Sequence, residues 1–251
     1  MKKIISVLLI LLLWYNNTYS QHIIISYNIE TNSSFEVIEE DIEGIDREES
    51  KKITKSFNES FELINSMKAH LIASKNESYY WIENSMPSDV NVSNYEMAKI
   101  MIGYDNSYYT NYQSGIYTKY FSAYGEKFKM ETLINSFNWK LSKETKTIGN
   151  LKCFKAVTTY KVVNKLREHT VEAVAWYAPS LQYNFGPKGF SGLPGLIIEL
   201  KDDKVTYKVD NLEFKESKLQ AKKIPKGKLV TQAELDEHGE KVRQNFINNR
   251  N

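Results

Sequence analysis

Four histidines, one cysteine and a serine set among glycines are the side chains of this 251-residue sequence whose types could do chemistry. The histidines, His22, His70, His169 and His238, are spread along the chain. A zinc hydrolase needs two or three ligands on one face, most simply as HExxH on a helix, and no histidine here has a partner at that spacing. Glu168 beside His169, and Glu234 four residues before His238, have the spacing of surface pairs. Ser191 stands in Gly189-Phe190-Ser191-Gly192-Leu193. A G-x-S-x-G elbow holds its serine on a tight strand-to-helix turn, and Leu193 replaces its last glycine. Cys153 lies in an apolar run between Leu151 and Val157, which predicts a buried thiol with little thiolate character. Spacing therefore predicts no catalytic, cofactor-binding or metal-ligating set. A carboxylate pair for glycoside hydrolysis depends on separation in the fold and leaves no mark on sequence.

The elements that must position these residues are mostly strands. After Pro194-Gly195, Leu196, Ile198 and Leu200 alternate with Glu199 and Lys201, the period of a half-buried strand. Asp202-Asp203 then predicts a tight turn, and Val205, Tyr207 and Val209 alternate with Thr206, Lys208 and Asp210 on the return. The phase shifts to Leu212 and Phe214, as a bulge or a strand end near Asn211 would cause. Residues 151–163 and 171–178 read as strands flanking a charged turn at 165–168, and residues 78–82 and 128–139 as two more. Residues 23–29 open with a strand whose alternation is too weak to fix a face. Helical spacing occurs twice, at Ile53, Phe57, Phe61 and Ile64 and at Leu235, Val242 and Phe246. Thr231 and Glu234 form a capping-box signature at the start of the second, which predicts a C-terminal helix over about 231–248.

At the N-terminus, Lys2-Lys3, an apolar stretch and the small residues Thr18 and Ser20 have the form of a Sec signal peptide over residues 1–20. The apolar stretch is shorter than the roughly 20 residues a bilayer requires, and the only cysteine, Cys153, is not at the cleavage site to carry lipid. The expectation is a soluble exported protein, periplasmic or extracellular, without a transmembrane segment. Cleavage removes two lysines and no acid, leaving equal numbers of basic and acidic side chains. That balance argues against nucleic-acid binding, which relies on basic excess. With one cysteine there is no internal disulfide, so the core alone must stabilise the fold. No linker, repeat or low-complexity tract divides residues 21–251, and a single domain is expected. Its class is mainly β, with α+β as the alternative. The sheet would be antiparallel and curved, in its most curved form an open half-barrel, with two or more packed helices.

The sequence from 192 to 197 reads Gly192-Leu193-Pro194-Gly195-Leu196-Ile197, preceded by Gly186-Pro187. Upstream come Trp139, then Cys153, Lys155 and Ala156, then Trp176 and Tyr177. In this order the residues resemble the GLPGLI family of exported bacterial proteins, most clearly over residues 128–199. The family pattern carries an isoleucine-proline pair before the glycine-proline, whereas residues 180–185 contain no proline. The resemblance implies export and a signature loop but brings no catalytic residues. Glycine's permissive backbone and proline's fixed φ give the signature a structural reason, the return of a loop into the sheet. A phosphate-cradling loop would end in lysine-serine/threonine and lead into a helix, whereas here a strand follows.

Three functions fit these features. The first is a non-catalytic carrier for a lipid or other apolar ligand, without cofactor or metal, in a half-barrel to which Tyr79, Tyr80, Trp81, Tyr108, Tyr109, Tyr112, Tyr117, Tyr120 and Phe121 supply aromatic faces. The second is an accessory protein docking on an envelope assembly through a strand edge or aromatic patch. The third is a hydrolase with an unrecognised site. The protein expressed with its own leader is expected to begin at Gln21. Intact mass decides this, and a species retaining Met1 or carrying lipid would refute it.

Overall fold

The computed structural model describes residues 21–31, 46–83, 90–163, 168–216 and 224–248. The signal segment and most of the charged turn at 165–168 lie outside them. The described elements are β1 (Gln21–Thr31), α1 (Arg47–Ile64), β2 (Lys68–Ala73), β3 (Glu77–Ile82), α2 (Val92–Ile102), β4 (Ser107–Asn111), β5 (Ile116–Ala123), β6 (Glu126–Leu133), β7 (Lys140–Ile148), β8 (Leu151–Val163), β9 (Glu168–Ala178), β10 (Leu196–Asp202), β11 (Val205–Glu216), β12 (Lys228–Leu229) and α3 (Gln232–Asn248). The strands form one open sheet in the order β12-β6-β5-β4-β3-β2-β1-β11-β10-β9-β8-β7. Two antiparallel meanders, β1 to β6 and β7 to β11, are thus joined where β1 pairs with β11. The short β12 adds to β6 in parallel, the one departure from the expected antiparallel pattern.

The sheet is strongly curved. Tyr117 of β5 stacks on Phe137 at 5.5 Å, Phe137 on Phe190 at 4.7 Å, and Phe190 meets Tyr160 of β8 at 6.1 Å. In a flat sheet β5 and β8, eight strand steps apart in this order, would be separated by about 38 Å. Three ring contacts bridge them, so the sheet is a concave trough whose inner face meets itself across an intervening loop. Mainly β architecture with packed helices is what the period-2 runs predicted.

β1, at the centre, alternates from Ile23 onward, with Ile23, Ile25, Tyr27 and Ile29 each 0% exposed, while His22 before them is buried as well. The alternation looked weak because the intervening positions include Ile24. The bulge expected near Asn211 falls one residue earlier: Ser26 faces Asn211 and Tyr27 faces Val209, leaving Asp210 unpaired. β10 departs from its expected facing. A shift between Ile197 and Glu199 puts Leu200 opposite Ala175 but Leu196 opposite Ala178, so Leu196 and Leu200 lie on opposite faces. The single strand expected over 128–139 is also broken. β6 ends at Leu133, a 3-10 turn covers Ile134–Ser136, and Ile134 donates its N–H to the Gly115 carbonyl. The turn carries Phe137 and Trp139 over the trough to meet Phe190.

Asp46 caps α1 by accepting from Glu49 N–H, and α1 packs on α2 through Ser56 and Asn94, 2.5 Å apart. At α3 the Thr231 N–H donates to the Glu234 carboxylate at 2.7 Å, and Glu234 N–H returns a bond to Thr231 Oγ1 at 3.2 Å. Gly239 inside this helix lets the Tyr124 side chain lie against it, for a Cβ there would stand 2.3 Å from the hydroxyl and the half-exposed tyrosine would have to move aside.

Burial raises the pKa of Tyr27, Tyr80, Tyr108, Tyr160 and Tyr207, that of Tyr108 to about 12. The unfolded phenols ionise near pH 10 while the folded ones keep their protons, so this contribution is complete below pH 10 and is lost as pH rises above it. Each such phenol removes up to about 1.4 kcal/mol per pH unit. The protein is expected to unfold cooperatively in alkali, with tyrosinate absorbance rising in step with loss of β-sheet circular dichroism. Tyrosinate appearing well before unfolding would refute this burial.

Candidate functional site

Between β9 and β10, residues 179–195 cross the trough as a loop, and its stretch from Phe185 to Ser191 is buried apart from the half-buried Lys188. A buried loop must satisfy its backbone groups one by one. Leu196 N–H donates to Leu181 O at 3.0 Å, Ile197 N–H to Phe185 O at 3.0 Å, and Gly192 N–H to Asn184 O at 3.1 Å. The sheet supplies three further donors. Tyr27 hydroxyl reaches Ile197 O at 2.9 Å, Tyr112 hydroxyl reaches Asn184 O at 3.2 Å, and Trp139 Nε1–H reaches Ser191 O at 2.8 Å.

The signature residues divide by role. Leu193, Leu196 and Ile197 are buried in the core together with Gly186 and Pro187, while Gly192 and Pro194 are exposed at the tip. Gly195 passes so close to β9 that a Cβ would stand 2.3 Å from the Ala178 carbonyl oxygen. Gly192 has φ +91° with open space around it, so its requirement is backbone angle alone. The strand positions that carry the resemblance support the loop or the outer layer. Trp139 holds Ser191, and Tyr177 and Ala156 are buried. Trp176 carries the Lys146 ammonium 4.4 Å from its ring, and Lys146 pairs with Glu199 at 2.8 Å. Lys155 pairs with Glu144 at 3.0 Å. Cys153 is 0% exposed, and burial pushes its thiol pKa up, as expected of a core cysteine.

Beside the loop lies a cavity of about 1040 Å³. Rings of Tyr108, Tyr117, Phe137, Tyr160 and Phe190 line it, with Lys119 and Lys188 among them. Its mouth is edged by Lys161, Glu131 and the first turn of α3, all exposed. At the floor Lys188 contacts Asp202 Oδ2, and Tyr160 hydroxyl donates to Asp202 Oδ1 at 2.5 Å. Burial opposes the charge on Lys188, but the surrounding Tyr207, Asp202 and Tyr108 oxygens outweigh it and keep its pKa well above the ordinary lysine value. Lys119 is shifted the other way, lowered by burial and by the Lys188 charge.

Sequence reasoning missed Lys188, Asp202, Tyr160 and Lys119 as a cluster. Asp202 was expected in a turn. It is instead the last residue of β10, 3% exposed, while Asp203 makes the turn with φ +56°. Tyr160 and Asp202 meet across β9, which lies between their strands, and the loop brings Lys188 to them; the strand order that joins them leaves no mark on residue spacing. The four histidines stay apart, on β1, β2, β9 and α3. His70 meets Glu83 at 3.1 Å, and His238 lies against the Phe128 ring at 5.6 Å. Among the described residues no cluster of three His, Cys, Asp or Glu side chains could hold a metal ion, and no helix is long and apolar enough to cross a membrane. Ser191, 1% exposed, has no hydrogen-bond partner for its hydroxyl among the described residues.

A family profile described as "Protein of unknown function (Porph_ging)" matches residues 161–199, from the end of β8 through the signature loop into β10. No curated protein matches the chain significantly. Crystal structures of PNGF-II in two space groups are similar to it, with TM-scores of 0.53 and 0.52 at 14% and 13% identity. Each alignment covers 89% of this chain and 33% or 34% of PNGF-II, so the chain spans about a third of that protein's length. At this identity the likeness is one of fold.

Gly195→Val is expected to destabilise the protein by roughly 3 kcal/mol, since its Cβ meets backbone, and Gly192→Ala by about 1 kcal/mol. Ser191→Ala removes a buried hydroxyl that has no partner and is expected to leave stability unchanged or slightly higher. Urea denaturation of the three variants tests the ranking; a tolerated Gly195→Val would contradict the close approach to Ala178.

Proposed function

We propose that this chain is an exported, non-catalytic binding or carrier protein of GLPGLI type, whose ligand is apolar or amphipathic and occupies the cavity beside the signature loop. The observation that carries this reading is the cavity itself, about 1040 Å³ and walled by five aromatic rings. Ligand sites are typically concave, mostly apolar, and about 300–1,000 Å³ in volume. The preceding leader-like residues and the balanced charge support an exported protein that does not engage nucleic acid. Turnover has less support. The Ser191 hydroxyl touches no base, the Asp202 carboxylate is engaged by Lys188 and Tyr160, and each histidine sits on a different element.

Docking on an envelope partner is the second reading, and one observation favours it. Leu133 and Leu141 are each 60% exposed and flank Pro194 at the signature tip, forming an apolar patch outside the cavity.

Native mass spectrometry of protein purified from its own envelope is expected to show a co-bound apolar molecule released on denaturation. A stoichiometric protein partner with an empty cavity would favour docking instead. Hydrolysis of an ester, peptide or glycoside, abolished by changing one histidine or carboxylate, would falsify the carrier reading in favour of an enzyme.

A further inference from the structure

The charged groups at the cavity are matched except for one. Lys188 is neutralised by Asp202 at the floor. At the mouth Lys161 pairs with Glu168 at 2.5 Å and Glu131 with Lys129 at 2.9 Å, while Glu234 is held by the Thr231 N–H at the start of α3. Lys119, half-buried in the cavity wall, has no carboxylate within ion-pair distance among the described residues; its ammonium lies 5.2 Å from the Phe121 ring centroid. Lys188 lines the same cavity but has Asp202 as its counter-charge. An ammonium without a counter-charge, partly withdrawn from water, is a costly arrangement that a bound anion relieves.

We propose that the cavity takes an amphipathic monoanion, its carboxylate-like head on the Lys119 ammonium and its apolar body against the rings of Tyr117, Phe137 and Phe190. This rests on the binding-protein reading and specifies its ligand class. A single unmatched point charge suits a single negative charge, because Lys188 is already satisfied. The rings continue from Lys119 across the trough through stacked contacts at 5.5 and 4.7 Å, which offers a continuous apolar track for a chain or ring system. Depression of the Lys119 pKa by burial and by Lys188 agrees with an ammonium that a bound carboxylate would stabilise.

Isothermal titration calorimetry of the purified protein with dodecanoate and with uncharged dodecanol tests this. Wild type is expected to bind dodecanoate at least about tenfold more tightly than dodecanol, the worth of a charge-assisted contact. Lys119→Met is expected to abolish that preference and Lys119→Arg to keep it, with thermal unfolding confirming that each variant is folded. Equal binding of the two compounds by wild type would overturn the anion site and leave the carrier reading standing. Preference retained in Lys119→Met would overturn the assignment to Lys119. Binding of neither compound would overturn both readings, and the wild-type comparison decides between these outcomes even if a variant fails to fold.

Discussion

A carboxylate only 3% exposed at the end of a strand must find a cation and donors or give up its charge. Asp202 finds both, Lys188 on one oxygen and the Tyr160 hydroxyl on the other. β8 and β10 both flank β9, where Tyr160 faces Val171 and Asp202 faces Ala173, so the tyrosine reaches the carboxylate across one strand while Lys188 comes from the loop. The contact therefore ties the end of β10 to β8 and to the path of the loop. Lys188 reaches it with φ +55°, a left-handed backbone that a lysine adopts at a cost the contact must exceed.

The rest of the loop follows from the same demand for partners. Residues 179–195 have no strand ladder, so their polar groups are matched individually, two of them by side chains of Tyr112 and Trp139, and Tyr27 does the same for Ile197 just beyond the loop. Aromatic residues suit this duty because one end packs and the other donates. That gives the abundance of tyrosine in this chain a second meaning beyond strand preference. Tyr27 is buried in the core and at the same time supplies the donor for Ile197 on an adjoining part of the sheet.

What the sequence made legible follows the range of the interactions involved. Period-2 runs in β3, β8, β9 and β11 and the capping box of α3 are set by neighbours a few residues apart, and they are found where their patterns place them. α2 was missed although Asn91 and Gly103 punctuate it, Asn91 accepting from Ser93 and Asn94 N–H and Gly103 closing it at φ +63°. Its apolar stripe is blurred by Val92, 61% exposed, and Ile100, 80% exposed, so no amphipathic face stands out. The bulge that reverses the facing of β10 was also hidden, since Leu196, Ile197, Ile198 and Leu200 are all buried and composition cannot say on which side. The cavity was the least legible feature. Tyr160 and Asp202 are brought together by the pairing of β8 and β10 with β9, and Lys188 by the path of the loop, and nothing in their spacing records either.

The cavity's walls also account for its persistence as open volume. Apolar pockets in a core tend to close until side chains interdigitate, but here the two sides of the trough are held by Phe137 and Phe190 stacked between Tyr117 and Tyr160. Closing further would drive Lys119 into an apolar contact with no counter-charge of its own, and would strip water from the Lys188–Asp202 pair. The polar floor thus resists the collapse that the aromatic walls favour.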